Sequence, residues 1–138
     1  VSVHTEGESI AAKKVSDLKE RLRIANETEN AIYLSIHQNT FPDGRYSGSQ
    51  VFYAHNDESR KLALKLQGDL VRVLDPTSNR KSKKAAGVFL MEHLQCTGVL
   101  VECGFLSNPV EEAKLRSKSY QQKLSCVIAS SLICHLTS

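Results

Sequence analysis

Two side chains in this sequence stand where chemistry is expected. Residues 99–109, VLVECGFLSNP, place Glu102 at the end of an apolar run and just before a sharply capped helix start. Val99, Leu100 and Val101 suit a buried strand, and an ionisable group closing such a strand is costly to bury unless a metal, a partner or a reaction requires it. Asn108, Pro109 and Glu111 read as N-cap, first helical residue and capping-box acid, so the chain turns hard just past the glutamate. A second segment has the same design: Ile32, Tyr33, Leu34, Ser35 and Ile36 predict an apolar strand with His37 at its exit, followed by Gln38 and Asn39. A histidine and a glutamate at neighbouring strand ends suit metal-assisted hydrolysis. Imidazole ligates zinc, zinc lowers the pKa of water to ~7, and the carboxylate takes a proton from the attacking water and later returns it to the leaving amine.

The elements that must position these groups can be read from apolar periodicity. Val1, Ser2, Val3, His4 and Thr5 alternate like a strand. A helix follows, with Ser16 or Asp17 as its cap and Leu18, Leu22 and Ala25 as its buried stripe. After the strand before His37, the turn-forming Pro42, Asp43, Gly44 and Gly48 lead into a strand over residues 49–53. Asp57 opens a helix on which Leu62, Leu66, Leu70 and Val73 share one face, each buried leucine contributing ~1.5–3 kcal/mol, and Asp75 and Pro76 end it. Residues 88–91 form a short apolar segment before the Val99 strand. In the last helix Ser119 and Gln122 read as a capping box, with Tyr120, Leu124, Val127, Ile128 and Ser131 facing inward. Strands alternating with helices of this length predict a sheet covered by helices, with reactive groups gathered outside one end of the strands.

A chain of 138 residues is enough for one core, so every motif is expected to serve one folded unit. The formal charge of +3 is a mild excess, and its one dense cluster, Arg80, Lys81, Lys83 and Lys84, reads as a solvated loop or a contact for an anionic polymer. Nucleic acid is not expected as a partner, because few aromatics lie near the basic run to stack on bases. The four cysteines show no CxxC spacing. Cys126 and Cys134 fall eight apart on one predicted helix, too far along its axis to bridge. Cys96 and Cys103 read as small apolar fillers. Cys103 alternates with Glu102 and so points to the opposite face of a regular strand, into the core.

Taken together, SIHQN at residues 35–39 and VECGFLSNP at residues 101–109 resemble the zinc-dependent N-acetylmuramoyl-L-alanine amidases of the type 3 family, which cut the amide between muramic acid and the stem peptide of peptidoglycan. Asp17, Leu18, Arg21 and Asn26 are similar to that family's helix before the first motif, residues 48–53 to the strand after it, and residues 87–91 with Gly98 to the approach to the glutamate. The resemblance implies an α/β fold, a twisted mixed sheet flanked by helices in the manner of zinc carboxypeptidases and missing its N-terminal strand and helix. Residues 1–138 would be a single amidase catalytic domain, N-terminally incomplete. It implies zinc as cofactor, His37 as a metal ligand, Glu102 as catalytic acid/base and Asn39 as a substrate-binding residue that shapes the site.

The implied reaction is hydrolysis of the amide between N-acetylmuramic acid and L-alanine. The implied partners are peptidoglycan glycan strands with their stem peptides, and an accessory protein stays open. The runs at residues 35–53 and 87–111 are most similar to the sporulation branch, which implies work on the spore cortex, where stem-peptide removal precedes muramic lactam formation, and an extracytoplasmic location in a bacterium. The alternatives are a metal-free peptidoglycan-binding or regulatory relative, and a thiol hydrolase using Cys103 with His37.

Family members hold zinc with three protein ligands, two of them before the first strand seen here. Roughly fifty to seventy residues of the expected domain would then precede Val1, and the spacing of His4, Glu6 and Glu8 imitates no known ligand pair. The same reasoning predicts a sheet edge or apolar face left uncovered and, for these 138 residues alone, partial disorder or self-association.

Overall fold

A computed structural model describes residues 9–138. The expected strand at Val1 to Thr5, with His4, Glu6 and Glu8, lies outside the described residues. Helix α1 (Ile10–Glu27) starts earlier than its composition predicts: Ser9 rather than Ser16 or Asp17 is the cap, its side chain accepting from the Ala12 amide at 3.1 Å. Strand β1 (Ile32–Asn39) runs through His37 instead of ending before it. Strand β2 (Gln50–Tyr53) and helix α2 (Asp57–Leu74) follow, the helix capped by Asn56. The basic segment is not wholly loop, because Lys83 and Lys84 form a short strand, β3 (Lys83–Lys84), against β2. Helix α3 (Phe89–His93) occupies the short apolar segment. Strand β4 (Thr97–Phe105), helix α4 (Pro109–Arg116) and helix α5 (Lys118–Thr137) complete the order. Ser117, not Ser119, caps α5. A serine one residue outside the helix satisfies the same orphan amides, so the paired Ser119 and Gln122 are not needed there.

The four strands form one mixed sheet in the order β1-β4-β2-β3. Strand β4 is its centre, parallel to β1 on one side and antiparallel to β2 on the other. Side chains alternate across the strands, so the sheet has two different faces. One buries Val51, Val99, Val101 and Cys103 under Leu62, Leu66 and Leu70 of α2, Leu115 of α4, and Leu124 and Ile128 of α5. Val73, expected on the buried stripe of α2, is 49% exposed, and Ala63 and Gln67 take the inner positions instead. On the other face Tyr33, Phe52 and Leu100 pack with Leu18, Leu22 and Ala25 of α1 and Leu90, Met91 and Leu94 around α3.

Helices α1 and α3 cover only the first part of the strands on this second face. Their packing ends, among the described residues, at Tyr33, Phe52 and Leu100, short of the level of the exposed His37. Among the described residues no strand lies outside β1, whose Ile36 is 58% exposed.

Candidate active site

The register between β1 and β4 sets His37 directly beside Glu102. Paired residues of neighbouring strands project on the same side, so both side chains emerge on the face that α1 and α3 leave open. One step beyond, the register shifts: Asn39 pairs with Phe105, so three residues of β4 span what two residues of β1 span. An extra residue of this kind ends regular pairing and re-aims the chain next to a site. On the other side of β4, Glu102 pairs with Gln50 of β2. A row of His37, Glu102 and Gln50 therefore crosses three strands at one level.

The members of the row sit in different surroundings. His37 is exposed, whereas Glu102 is half-buried and its Oε2 is enclosed without a hydrogen-bond partner. Burial pushes the Glu102 carboxyl above the usual glutamate range, and the His37 charge offsets this only in part. Gln50 is 8% exposed, and both of its polar atoms are engaged away from Glu102: Nε2 donates to the Lys81 carbonyl at 2.8 Å, and Oε1 accepts from Arg80 Nη1 at 3.0 Å. That commitment explains how a carboxylate oxygen stays unbonded beside an amide side chain.

Glu111 braces the end of β4. The sequence marks it as a capping-box acid, but the Asn108 side chain alone caps α4, accepting from the Val110 and Glu111 amides at 3.0 and 3.1 Å. The Glu111 carboxylate reaches past the cap, and its Oε1 accepts from the amides of Phe105 and Gly48, each at 2.9 Å. Gly104 permits this approach, since a Cβ there would lie 3.2 Å from the same oxygen. Gly48 has φ of +100°, a conformation other residues rarely adopt. One carboxylate thus ties the exit of the Glu102 strand to the entrance of β2.

The remaining site residues expected from the sequence fare unequally. Asn39 lies at the same end, and its Oδ1 accepts from the Thr40 amide at 2.8 Å, which shapes the turn out of β1. Cys103 is 2% exposed on the opposite face, its thiol pushed up to about 11 by burial and, secondarily, by the Glu102 charge. All four cysteines are free. Gln50, Arg80 and Glu111 enter the site architecture without having been singled out for it. Only Glu111 carried a local signal, and that signal pointed to a different partner.

For a hydrolytic metal the fit is partial. An imidazole and a carboxylate with an orphaned oxygen stand side by side, as one ligand and one base would. A catalytic zinc site uses three protein ligands and keeps a fourth position open for water, and among the described residues no group of three His, Cys, Asp or Glu is placed to hold a metal.

Comparison with known proteins fixes the class. Residues 2–134 match the N-acetylmuramoyl-L-alanine amidase family, and the chain belongs to it. It is 37% identical over 126 residues to the germination-specific N-acetylmuramoyl-L-alanine amidase of Bacillus subtilis, covering 91% of this chain and 53% of that protein. The fold agrees with the CwlD amidase of Clostridioides difficile, solved in complex with the GerS lipoprotein, at a TM-score of 0.90 and 32% identity over 99% of this chain and 71% of that one. A second N-acetylmuramoyl-L-alanine amidase, from Clostridium difficile 630, superposes at 0.79 with 28% identity, covering 88% of this chain and 66% of that one. The chain spans about half the length of the B. subtilis relative.

Proposed function

We propose that these residues form part of one catalytic domain that hydrolyses the amide between N-acetylmuramic acid and L-alanine in peptidoglycan. The observation that carries the reading is the pairing of His37 with Glu102 on the open face, with one buried Glu102 oxygen left unbonded. Glu102 acts as general base and then general acid. A carboxyl raised by burial is a stronger base towards water than an ordinary glutamate, and once protonated it holds the proton until the departing amine, a far stronger base, takes it. Oε2, free of protein donors, is the atom that takes the proton. His37 is the one metal ligand these residues supply, and further donors must come from outside the described residues. Zinc, when bound, supplies Lewis acidity at the scissile carbonyl.

The partners on this reading are glycan strands bearing stem peptides, met on the extracytoplasmic side of a bacterial membrane. Likeness to a germination-specific amidase favours the spore cortex as the setting, and the GerS complex of the CwlD neighbour favours an accessory lipoprotein.

The test uses the full-length protein on purified peptidoglycan, scoring release of stem peptides with a free amino-terminal alanine, with metal content measured by mass spectrometry. The wild type carries stoichiometric zinc and releases peptide. Glu102→Gln retains the zinc and loses about 10²–10⁴-fold in turnover, the range a general acid or base supplies. A Gln variant that cleaves at the wild-type rate refutes the role of Glu102. A wild type that binds peptidoglycan with neither zinc nor cleavage establishes the regulatory relative instead.

A further inference from the structure

Arg80 is held at the site without a carboxylate to answer its charge. Five of the other arginines face acids: Arg23, Arg45, Arg60, Arg72 and Arg116 each pair with an aspartate or glutamate on their own segment, whereas Arg21 on α1 has no such pair among the described residues. Arg80 is half-buried, and among the described residues its recorded partners are neutral. Nε donates to the Ser47 carbonyl at 2.6 Å, Nη1 donates to Gln50 Oε1 at 3.0 Å, and the guanidinium lies over the Phe105 ring, 5.0 Å from its centroid. Nη2 has no recorded acceptor. Room for the side chain comes from Gly48, where a Cβ would stand 3.0 Å from both Arg80 Cδ and Nε. Two separate segments, residues 47–50 and the end of β4, therefore fix one guanidinium, and both frame Glu102. Gln50 is Glu102's register partner, and Phe105 ends the Glu102 strand.

From this geometry we infer that Arg80 is a substrate-positioning residue that binds a carboxylate of the stem peptide. The inference rests on the amidase reading above and gives that reading a polarity. A guanidinium with Nη2 free and its plane braced against an aromatic ring is preorganised for a planar anion. A peptide joined to muramic acid through its amino end carries its carboxylate away from the bond that is cut, on the leaving-group side. Arg80 lies one strand spacing and one side chain beyond Glu102, on the order of 10 Å. About three extended residues span that distance. The row then reads His37, Glu102, Gln50, Arg80, with the scissile amide at the first pair and the peptide running towards the arginine.

The experiment compares two synthetic muramoyl peptides that differ only in whether the terminal carboxylate is free or amidated, cleaved by full-length wild type, Arg80→Gln and Arg80→Lys. Wild type prefers the free carboxylate by on the order of tenfold or more in kcat/KM, mostly through KM. Arg80→Gln cleaves the free acid and the amide at equal rates, so the preference disappears at whatever common level the loss of the Gln50 contact sets. Arg80→Lys, which keeps the charge and loses the fork, falls between them. Equal cleavage of both peptides by wild type, or a preference that survives in Arg80→Gln, overturns the proposal while leaving the amidase reading intact. Should the Gln variant not fold, the wild-type comparison and the Lys variant decide. If wild type cleaves neither peptide nor peptidoglycan, the amidase reading fails and this inference falls with it.

Discussion

Removing the Glu111 carboxylate should cost more stability than any exposed acid on α4 and should weaken catalysis at a distance. Its Oε1 accepts from the Phe105 and Gly48 amides, both part-buried and both at 2.9 Å. A hydrogen bond to a charged acceptor contributes ~1.5–3 kcal/mol, and losing it also strands the donor. Because both bonds fall on one oxygen, the lower end applies, and Glu111→Ala loses about 3 kcal/mol. At ~2.1 cal/mol/K per residue, a chain of 138 residues unfolds with an entropy of ~0.29 kcal/mol/K, so the midpoint drops by about 10 °C. Glu111→Gln keeps an acceptor and loses only the ionic part, about 1 kcal/mol or 3–4 °C. Thermal unfolding followed by circular dichroism measures both. Activity of the full-length protein, taken well below the lower midpoint, should also fall in the Ala variant, because Phe105 lies three residues past Glu102. An Ala variant melting within about 2 °C of wild type would show that the two amides find other partners and that the brace carries nothing.

Three further outcomes follow from the same structure. His37→Ala should lower both zinc content and turnover of the full-length protein, whereas unchanged zinc with lost turnover would remove His37 from the metal. Asp69 links α2 to the buried Ser131 of α5 at 2.6 Å; burial would raise its pKa, but hydrogen bonds from Ser131, Lys65 and Arg72 outweigh it and hold the carboxyl below the usual range. A depressed folded pKa stabilises above the unfolded value and is lost as pH falls through the folded one, so the advantage of wild type over Asp69→Asn in urea midpoint should shrink below about pH 4; a gap independent of pH would contradict this. At pH 8 in the native protein, alkylation should reach the exposed Cys126 and Cys134 well before buried Cys103 and leave activity intact, whereas loss of activity on alkylation together with resistance to chelators would favour thiol chemistry.

The central strand, the long second helix and the Asn108 cap were legible because each rests on local chemistry: an apolar run, a leucine stripe, a side-chain acceptor followed by proline. The pairing of His37 with Glu102 was legible only as an expectation, since strand order depends on contacts between residues far apart in the chain. Helix starts were misplaced where several serines competed for the cap, as at Ser9 against Ser16 and Ser117 against Ser119. Arg80 and Gln50 were hidden for a different reason. Nothing in a run of basic residues distinguishes the one that folds back onto an aromatic ring from those that stay in solvent, and a glutamine at the start of a strand carries no mark of what lies across from it.

The shared level of His37 and Glu102 constrains how this chain can change over evolutionary time. Strand side chains alternate with a period of two, so inserting or deleting one residue inside either strand ahead of the pair would turn one partner towards the packed helices while the other stayed outside. Length variation among relatives should therefore collect in residues 40–46, after β1 and ahead of the anchored Ser47 and Gly48, where no ladder is disturbed. New side chains added in that segment would stand at the His37 end of β1 without breaking the pairing with β4.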